Sequence, residues 1–316
     1  MSFTNFSNGV SSLGIPVLPA GFHTGSSVPN GGSTVRANKH FWVNGNLGGD
    51  GNDGLSPNKP LLTMAAAFAQ VGSGDVIHLN GKITEQLVTP AGVFDVTVVG
   101  EGTRPRHPDA HTSNNGYSGA RWSGSGLTAA KANVRVIQQG WVFSNILFDA
   151  VDANAACIEL VRNALTGDSE WDASHTSIIG NRFSGAGKGI RSGATALAEV
   201  VNHVLVEGNR FDTNTYGIHA AVISNYWTIR GNEFRNCTNS VVADLGYAFI
   251  HDNIFGAFTT DSLELAGSSD GKNIVTKNYL SGTYSSSGGY TVSDATDEWA
   301  GNFNGLSGGI TVSDPA

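Results

Sequence analysis

The chain has 316 residues, with 42 glycines and 28 asparagines but only 14% charged residues; an ordinary globular domain has about 25%, so much of the surface must be Gly, Asn, Ser and Thr. A hydrophobic content of 40% excludes overall disorder, and a net charge of −8 without long charged runs points away from nucleic acid as a partner. The longest weakly polar stretch, Leu61 to Ala69, is far short of the roughly 20 residues that span a bilayer.

The first residues, Met1-Ser2-Phe3-Thr4-Asn5, lack the basic and apolar regions of a secretory signal. Residues 1–40 are punctuated by Ser, Asn, Gly and Pro around one apolar island, Ile15-Pro16-Val17-Leu18-Pro19. This composition predicts an extended anchoring arm with no core of its own, with Ile15, Pro16, Val17, Leu18 and Pro19 as its binding residues. Residues 41–75 then read as a first strand, a loop and a short helix. The Ala-rich run Thr63 to Gln70 is the helix, expected to cap the open end of the strand-rich remainder of the chain. Within the loop, Gly48 to Gly54 spaces Asp50, Asn52 and Asp53 as a calcium loop does. It lacks the bidentate acid of an EF-hand, and a plain Gly/Asp turn is the favoured reading.

Residues 76–316 are strands. Val76 to Leu79, Val96 to Val99, Val134 to Ile137, Ile146 to Phe148 and Cys157 to Leu160 are early rungs. From residue 178 one phrase recurs: Ile178-Ile179-Gly180-Asn181-Arg182-Phe183, Val206-Glu207-Gly208-Asn209-Arg210-Phe211, Ile229-Arg230-Gly231-Asn232-Glu233-Phe234 and Ile250-His251-Asp252-Asn253-Ile254-Phe255. Weaker copies centre on Asn278 and Asn302, so the Asn-to-Asn steps are 28, 23, 21, 25 and 24. A second apolar beat follows each Asn: Ile190, Ile218, Val241, Leu263, Tyr290 and Ile310. Two short strands per turn of about 24 residues, stacked on neighbours at about 4.8 Å, make an all-β parallel β-helix. Asn181, Asn209, Asn232, Asn253, Asn278 and Asn302 are expected at tight corners, where asparagine tolerates left-handed geometry and the preceding Gly supplies the bend, hydrogen-bonded amide to amide from turn to turn. The Phe two residues later should fill the coil.

Stacking lets outward residues be compared turn by turn. The alignment sets Glu207 against Arg230, Glu233 against Arg210, Asp212 against Arg235 and Glu159 against Arg191. Glycoside hydrolysis generally needs two carboxyl groups roughly 5–9.5 Å apart, one with a raised pKa; acid–base pairs hold each acid ionised instead. The pattern therefore favours charge-balanced register over a cleft, and leaves Glu207, Asp212 and Glu233 around Arg210 as the remaining catalytic candidates. His107 and His111 are separated by Pro108 and do not share a helix face. His219 and His251 stand alone on the outside, and no metal site or cofactor is expected. Cys157 and Cys237 carry no knuckle motif and should be buried, reduced thiols. Trp122, Trp141, Trp171 and Trp227 would serve as sugar platforms only if exposed; core packing is the simpler reading.

The stretch Phe41-Trp42-Val43-Asn44 … Gly51-Asn52-Asp53-Gly54-Leu55-Ser56-Pro57-Asn58-Lys59-Pro60 … Gly74-Asp75-Val76-Ile77-His78-Leu79 resembles the opening of pectate-lyase-like right-handed β-helix proteins. The beginning, Met1-Ser2-Phe3-Thr4-Asn5-Phe6 … Gly14-Ile15-Pro16-Val17, and the ending, Trp299-Ala300-Gly301-Asn302-Phe303 … Asp314-Pro315-Ala316, are similar to those of virion structural proteins of tailed bacteriophages. That resemblance implies a non-enzymatic capsid cement (decoration) protein on the outer surface of the phage head, assembled in the host bacterial cytoplasm. Its partners would be copies of itself in a homotrimer and the major capsid protein, with a glycan as a further candidate and neither nucleic acid nor membrane. Pectate lyases use calcium-binding aspartates with an arginine base, and polygalacturonases an aspartate cluster with Gly-His-Gly; this chain has no Gly-His-Gly and its aspartates are scattered. A tailspike or tail-associated protein that binds or cleaves host polysaccharide is the alternative, and a stand-alone secreted polysaccharide lyase the third reading.

Overall fold

The structure, a computed structural model, describes residues 10–12, 15–18, 38–102, 119–124, 131–150, 152–161, 172–185, 187–193, 200–256, 258–265, 271–281, 290–292, 296–304 and 309–311. The chain divides into two compact units, Met1–Lys39 and His40–Ala316. In the first, Ile15–Leu18 pairs antiparallel with Val10–Ser12, Val10 opposite Leu18 and Ser12 opposite Ile15. Ile15, Pro16, Val17 and Leu18 thus form an extended strand within a two-stranded pair. Proline is tolerated there because both strands of such a pair are edges. Pro19 lies outside the described residues.

The second unit is a right-handed parallel β-helix. Among the described residues three sheets contain ten, ten and eight strands, each pairing with the strand one coil away. The recurring phrase holds two strands, not one, so each coil has three. Ser177–Ile179 and Arg182–Ser184 flank Gly180-Asn181, and Lys188–Ser192 supplies the third. The missed strand boundary is the corner itself, which a periodicity count runs straight through.

Each sheet lends one apolar column to the interior. Ile178, Val206, Ile229 and Ile250 line the first, Phe183, Phe211, Phe234 and Phe255 the second, and Ile190, Ile218, Val241 and Leu263 the third; all are fully buried. The phenylalanine rings stack at centroid distances of 4.8, 4.7 and 5.0 Å with planes within 11° of parallel. A Cβ added at Gly189 or Gly217 would come within 2.7–2.8 Å of the Phe211 or Phe234 ring, so these glycines make room for the column.

The corner bends at the residue before each asparagine, the place where the repeat carries glycine. The left-handed residues are Gly180, Gly208, Gly231, Asp252, Lys277 and Gly301, with φ between 55° and 65°; each stands just before the asparagine. The chain bends at that residue, which frees the asparagine to turn its side chain inward. Asn209 Nδ2 donates to Asn232 Oδ1 (3.1 Å) and to the Ile178 carbonyl (2.7 Å), while the same Asn232 Oδ1 accepts from the Asn209 backbone N–H (2.9 Å). The arrangement repeats from Asn181 to Asn302, with amide-to-amide distances of 2.9–3.2 Å. Removing one amide therefore orphans two buried donors in the coil below, at about 1–3 kcal/mol each. Asn232→Ala is expected to lower unfolding free energy by about 2–4 kcal/mol at unchanged m-value in urea; a loss below half a kilocalorie would show the column to be dispensable.

Both ends are closed. The helix Met64–Phe68 is shorter than the Ala-rich run, with Thr63 as its N-cap, and buries Met64, Ala67 and Phe68. Glu85 accepts from the Met64 and Ala65 N–H groups at 2.8 and 3.1 Å, satisfying donors that a helix start leaves open. At the far end Gly309–Thr311 folds back antiparallel on Asn302–Asn304. Ile310 and Thr311 therefore do not continue the third-sheet column as their spacing suggested. Reversing the strand ends the parallel stacking of the second sheet.

Candidate functional site

The register expected from the repeat holds through the outward positions: Glu207 lies opposite Arg230, Arg210 opposite Glu233, and Asp212 opposite Arg235. The ion pairs follow it only in part. Glu207 meets Arg230 at 2.9 Å and Glu159 meets Arg191 at 2.8 Å. Asp212 instead binds Arg210 of its own strand at 2.9 Å and Arg182 of the neighbouring coil at 2.7 Å, while the Glu233 carboxylate is 3.8 Å from Arg235 of its own strand. Residues two apart on a strand share a face, and a long guanidinium reaches along the strand or diagonally as easily as straight across.

The three candidate acids differ in setting: only Asp212 and Glu233 are diagonal neighbours, on adjacent strands where Arg210 faces Glu233 and Asp212 faces Arg235. Glu207 is on the first sheet and pairs at the half-exposed surface. Asp212 and Glu233 are on the second sheet, in different environments. Arg182, Arg210 and Asp212 are only 1, 8 and 5% exposed, a buried two-to-one cluster closed to a polymeric substrate. Burial pulls the Arg182 guanidinium below its usual value, and the like charge of Arg210 adds to this against the opposing pull of Asp212.

The remaining candidates are accounted for locally. Asp50 accepts from Leu62 N, Thr63 N and Thr63 Oγ1, all at 2.9 Å, and Asp53 from Leu55 N at 3.0 Å, so the Gly48–Gly54 loop is a turn fastened to the helix start. Trp122, Trp141 and Trp227 are fully buried, their indole N–H groups donating to the carbonyls of Glu85, Val93 and Val201. Burial raises both thiols, Cys157 well above its normal value and Cys237 to about 12, which makes them unreactive. Burial, with Lys188 and Arg191 adding to it, holds His219 down at about 4. His251 Nδ1 bonds Asp252 at 2.6 Å. His107, His111 and Trp171 lie outside the described residues.

Two arrangements escaped the sequence reading. At another corner, His175, His203, Tyr226, Tyr247 and Lys272 all have φ between 53° and 62° and form a column. The rings lie 4.8, 4.8 and 5.4 Å apart, and Lys272 Nζ sits 5.0 Å above the Tyr247 ring. The faces that a sugar would need are taken up by neighbouring rings. The second arrangement lies near the helix-capped end, where neighbouring strands of the first sheet set Trp42 opposite His78. Their rings stack at 4.9 Å and 9°. His78 Nδ1 bonds Glu101 Oε1 at 2.6 Å, and His78 Nε2 bonds His40 Nδ1 at 2.8 Å. Beside this relay lies a cleft of about 300 Å³ lined by Trp42, Asn44, Pro57, Pro60, His78, Asn80 and Glu101, among others. The Asn-centred repeat has no copy in these coils, so no spacing could align His78 with Trp42 or Glu101.

No protein-family profile and no curated protein matches the chain. Among solved structures, it is similar to XylC in complex with xylose at 12% identity and TM-score 0.55, over 84% of this chain and 68% of that one. It is also similar to pectate lyase Pel9A (15% identity, TM-score 0.44, 89% and 79% covered) and to ORF18 of Geobacillus virus E2 (10%, 0.38, 76% and 56%). At 12% identity the likeness to XylC is one of fold alone.

Proposed function

We propose that this chain is a non-enzymatic structural protein of a tailed-phage virion, of the capsid-decorating kind, working as a rigid rod with a separate attachment arm. The observation that carries this reading is the treatment of charge on the rod. Glu207, Asp212 and Glu159 each pair with arginine, and Asp212 is buried between two of them, Arg182 and Arg210. The similarity of both chain ends to phage virion proteins supports the same reading. Among the described residues the two-stranded pair in the arm has no further strand beside it, and a capsid strand can add there by main-chain hydrogen bonding.

Deleting residues 1–38 is expected to abolish co-sedimentation with empty phage heads while leaving the β-sheet circular dichroism of the rod intact. Undiminished sedimentation of the truncated protein would remove the arm from the mechanism. Release of reducing sugar from host polysaccharide, lost in Glu233→Gln, would instead favour the tailspike reading.

The rod surface also supports self-association into the proposed homotrimer. On the later coils the outward positions turn apolar: Phe249 pairs with Ile274 on the first sheet and Ile254 with Tyr279 on the second, all 40–50% exposed. Tyr226 and Tyr247 at a neighbouring corner are 49 and 42% exposed and add to the apolar surface of these coils. Ile254→Asp with Ile274→Asp is expected to convert an oligomer to monomer in light scattering; an unchanged mass would place the interface elsewhere.

A further inference from the structure

We infer that the cleft beside Trp42 is a binding site for a neutral saccharide unit, a function that a purely structural rod does not require. A pyranose presents C–H groups on its faces and a rim of hydroxyls, each both donor and acceptor. A matching site needs an apolar plate and, around it, fixed donors and acceptors.

The plate is the Trp42 indole with Pro57 and Pro60, all lining the cleft. Stacking against His78 fixes the indole from one side, so it needs no reordering to receive a ring. The rim is Asn44, Asn80, His78 and Glu101. Asn44 commits its Oδ1 to the N–H groups of Asn46 and Leu47, and Asn80 its Oδ1 to that of Gly81; among the described residues neither carboxamide nitrogen has a protein partner. They supply donors. Glu101 uses Oε1 to hold His78, which leaves Oε2 as an acceptor.

The relay holds the ring at both nitrogens, Glu101 at Nδ1 and His40 at Nε2. His78 is thereby fixed in one orientation as the wall of the cleft, the kind of preorganisation that cuts the entropy of binding. The cleft's volume, about 300 Å³, lies at the bottom of the range for small-ligand sites. That suits a terminal or branching unit of a glycan more than a long stretch of polymer. One carboxylate and two amide donors, with no lysine or arginine among the described lining residues, suit an uncharged sugar over a uronate.

The test uses the full-length chain labelled with ¹⁵N, with the Trp42 indole N–H resonance assigned through Trp42→Phe. The probes are methyl β-glycosides of xylose, glucose and galactose, with galacturonate as the charged control. One or more neutral glycosides should shift the Trp42 resonance saturably with a millimolar Kd. Glu101→Gln, whose carbonyl can still hold His78, should weaken that binding about tenfold or more at unchanged melting temperature. Absence of any shift up to roughly 50 mM, well beyond a millimolar Kd, overturns the assignment. So does binding undiminished in Glu101→Gln, or binding of galacturonate alone. None of these outcomes bears on head attachment through the arm.

Discussion

Replacing Phe211 with alanine is expected to lower the unfolding free energy by about 3–5 kcal/mol, the range for a fully buried aromatic. Phe211 is sandwiched between Phe183 at 4.8 Å and Phe234 at 4.7 Å and lies over Gly189, which has no side chain to move into the space. The void would therefore stay open, which puts the cost at the upper end. Urea denaturation followed by circular dichroism measures it. In a solenoid each coil contacts only its neighbours, so the variant should also broaden or split the transition as the coils on either side uncouple. A loss under 1 kcal/mol would mean that the ring column contributes little beyond filling space.

Asp212→Ala is expected to cost as much, about 3–5 kcal/mol, by a different route. It leaves Arg182 and Arg210, register neighbours and almost wholly buried, with no counter-charge between them. Breaking a buried pair from one side strands the remaining charge, and this is what makes it expensive. Asp212→Asn keeps the shape and should lose most of the same stability. This also separates the functional readings, because a catalytic aspartate changed to asparagine would lose activity while the fold stayed stable. Melting temperatures of the two variants decide it, and a fully stable Asp212→Asn protein would contradict the structural role.

The recurring Gly-Asn phrase made the coil, its register and the inward phenylalanines legible in advance, because each is a consequence of one residue type returning at one step. Arg182 and Arg210 show where that legibility stops. Register says which Cα atoms are opposite, but a long flexible cation chooses among several acids within reach, and Asp212 wins by being buried between both. Glycine and asparagine both tolerate the left-handed conformation, and the buried amide network is what places it on the residue before the asparagine, with Asp252 and Lys277 adopting it where glycine is missing. Ile310 came eight residues after Asn302, a shorter step than its predecessors, and that shortening was the available sign of a strand turning back. The Trp42–His78–Glu101 cleft had no such sign. Its parts come from coils whose corners lack the asparagine, so nothing in the sequence marks which residues stand side by side.

The asparagine column has a consequence for how such a molecule can change over time. Every rung takes the same bond from below and gives the same bond above, so any rung can follow any other. A segment running from one asparagine to the next can be excised or duplicated, and the rungs on either side of the join will still find complementary partners. Length in this protein is a quantised trait, adjustable in whole turns of roughly 4.8 Å, while the two closed ends and whatever they hold pass unaltered from a short version to a long one.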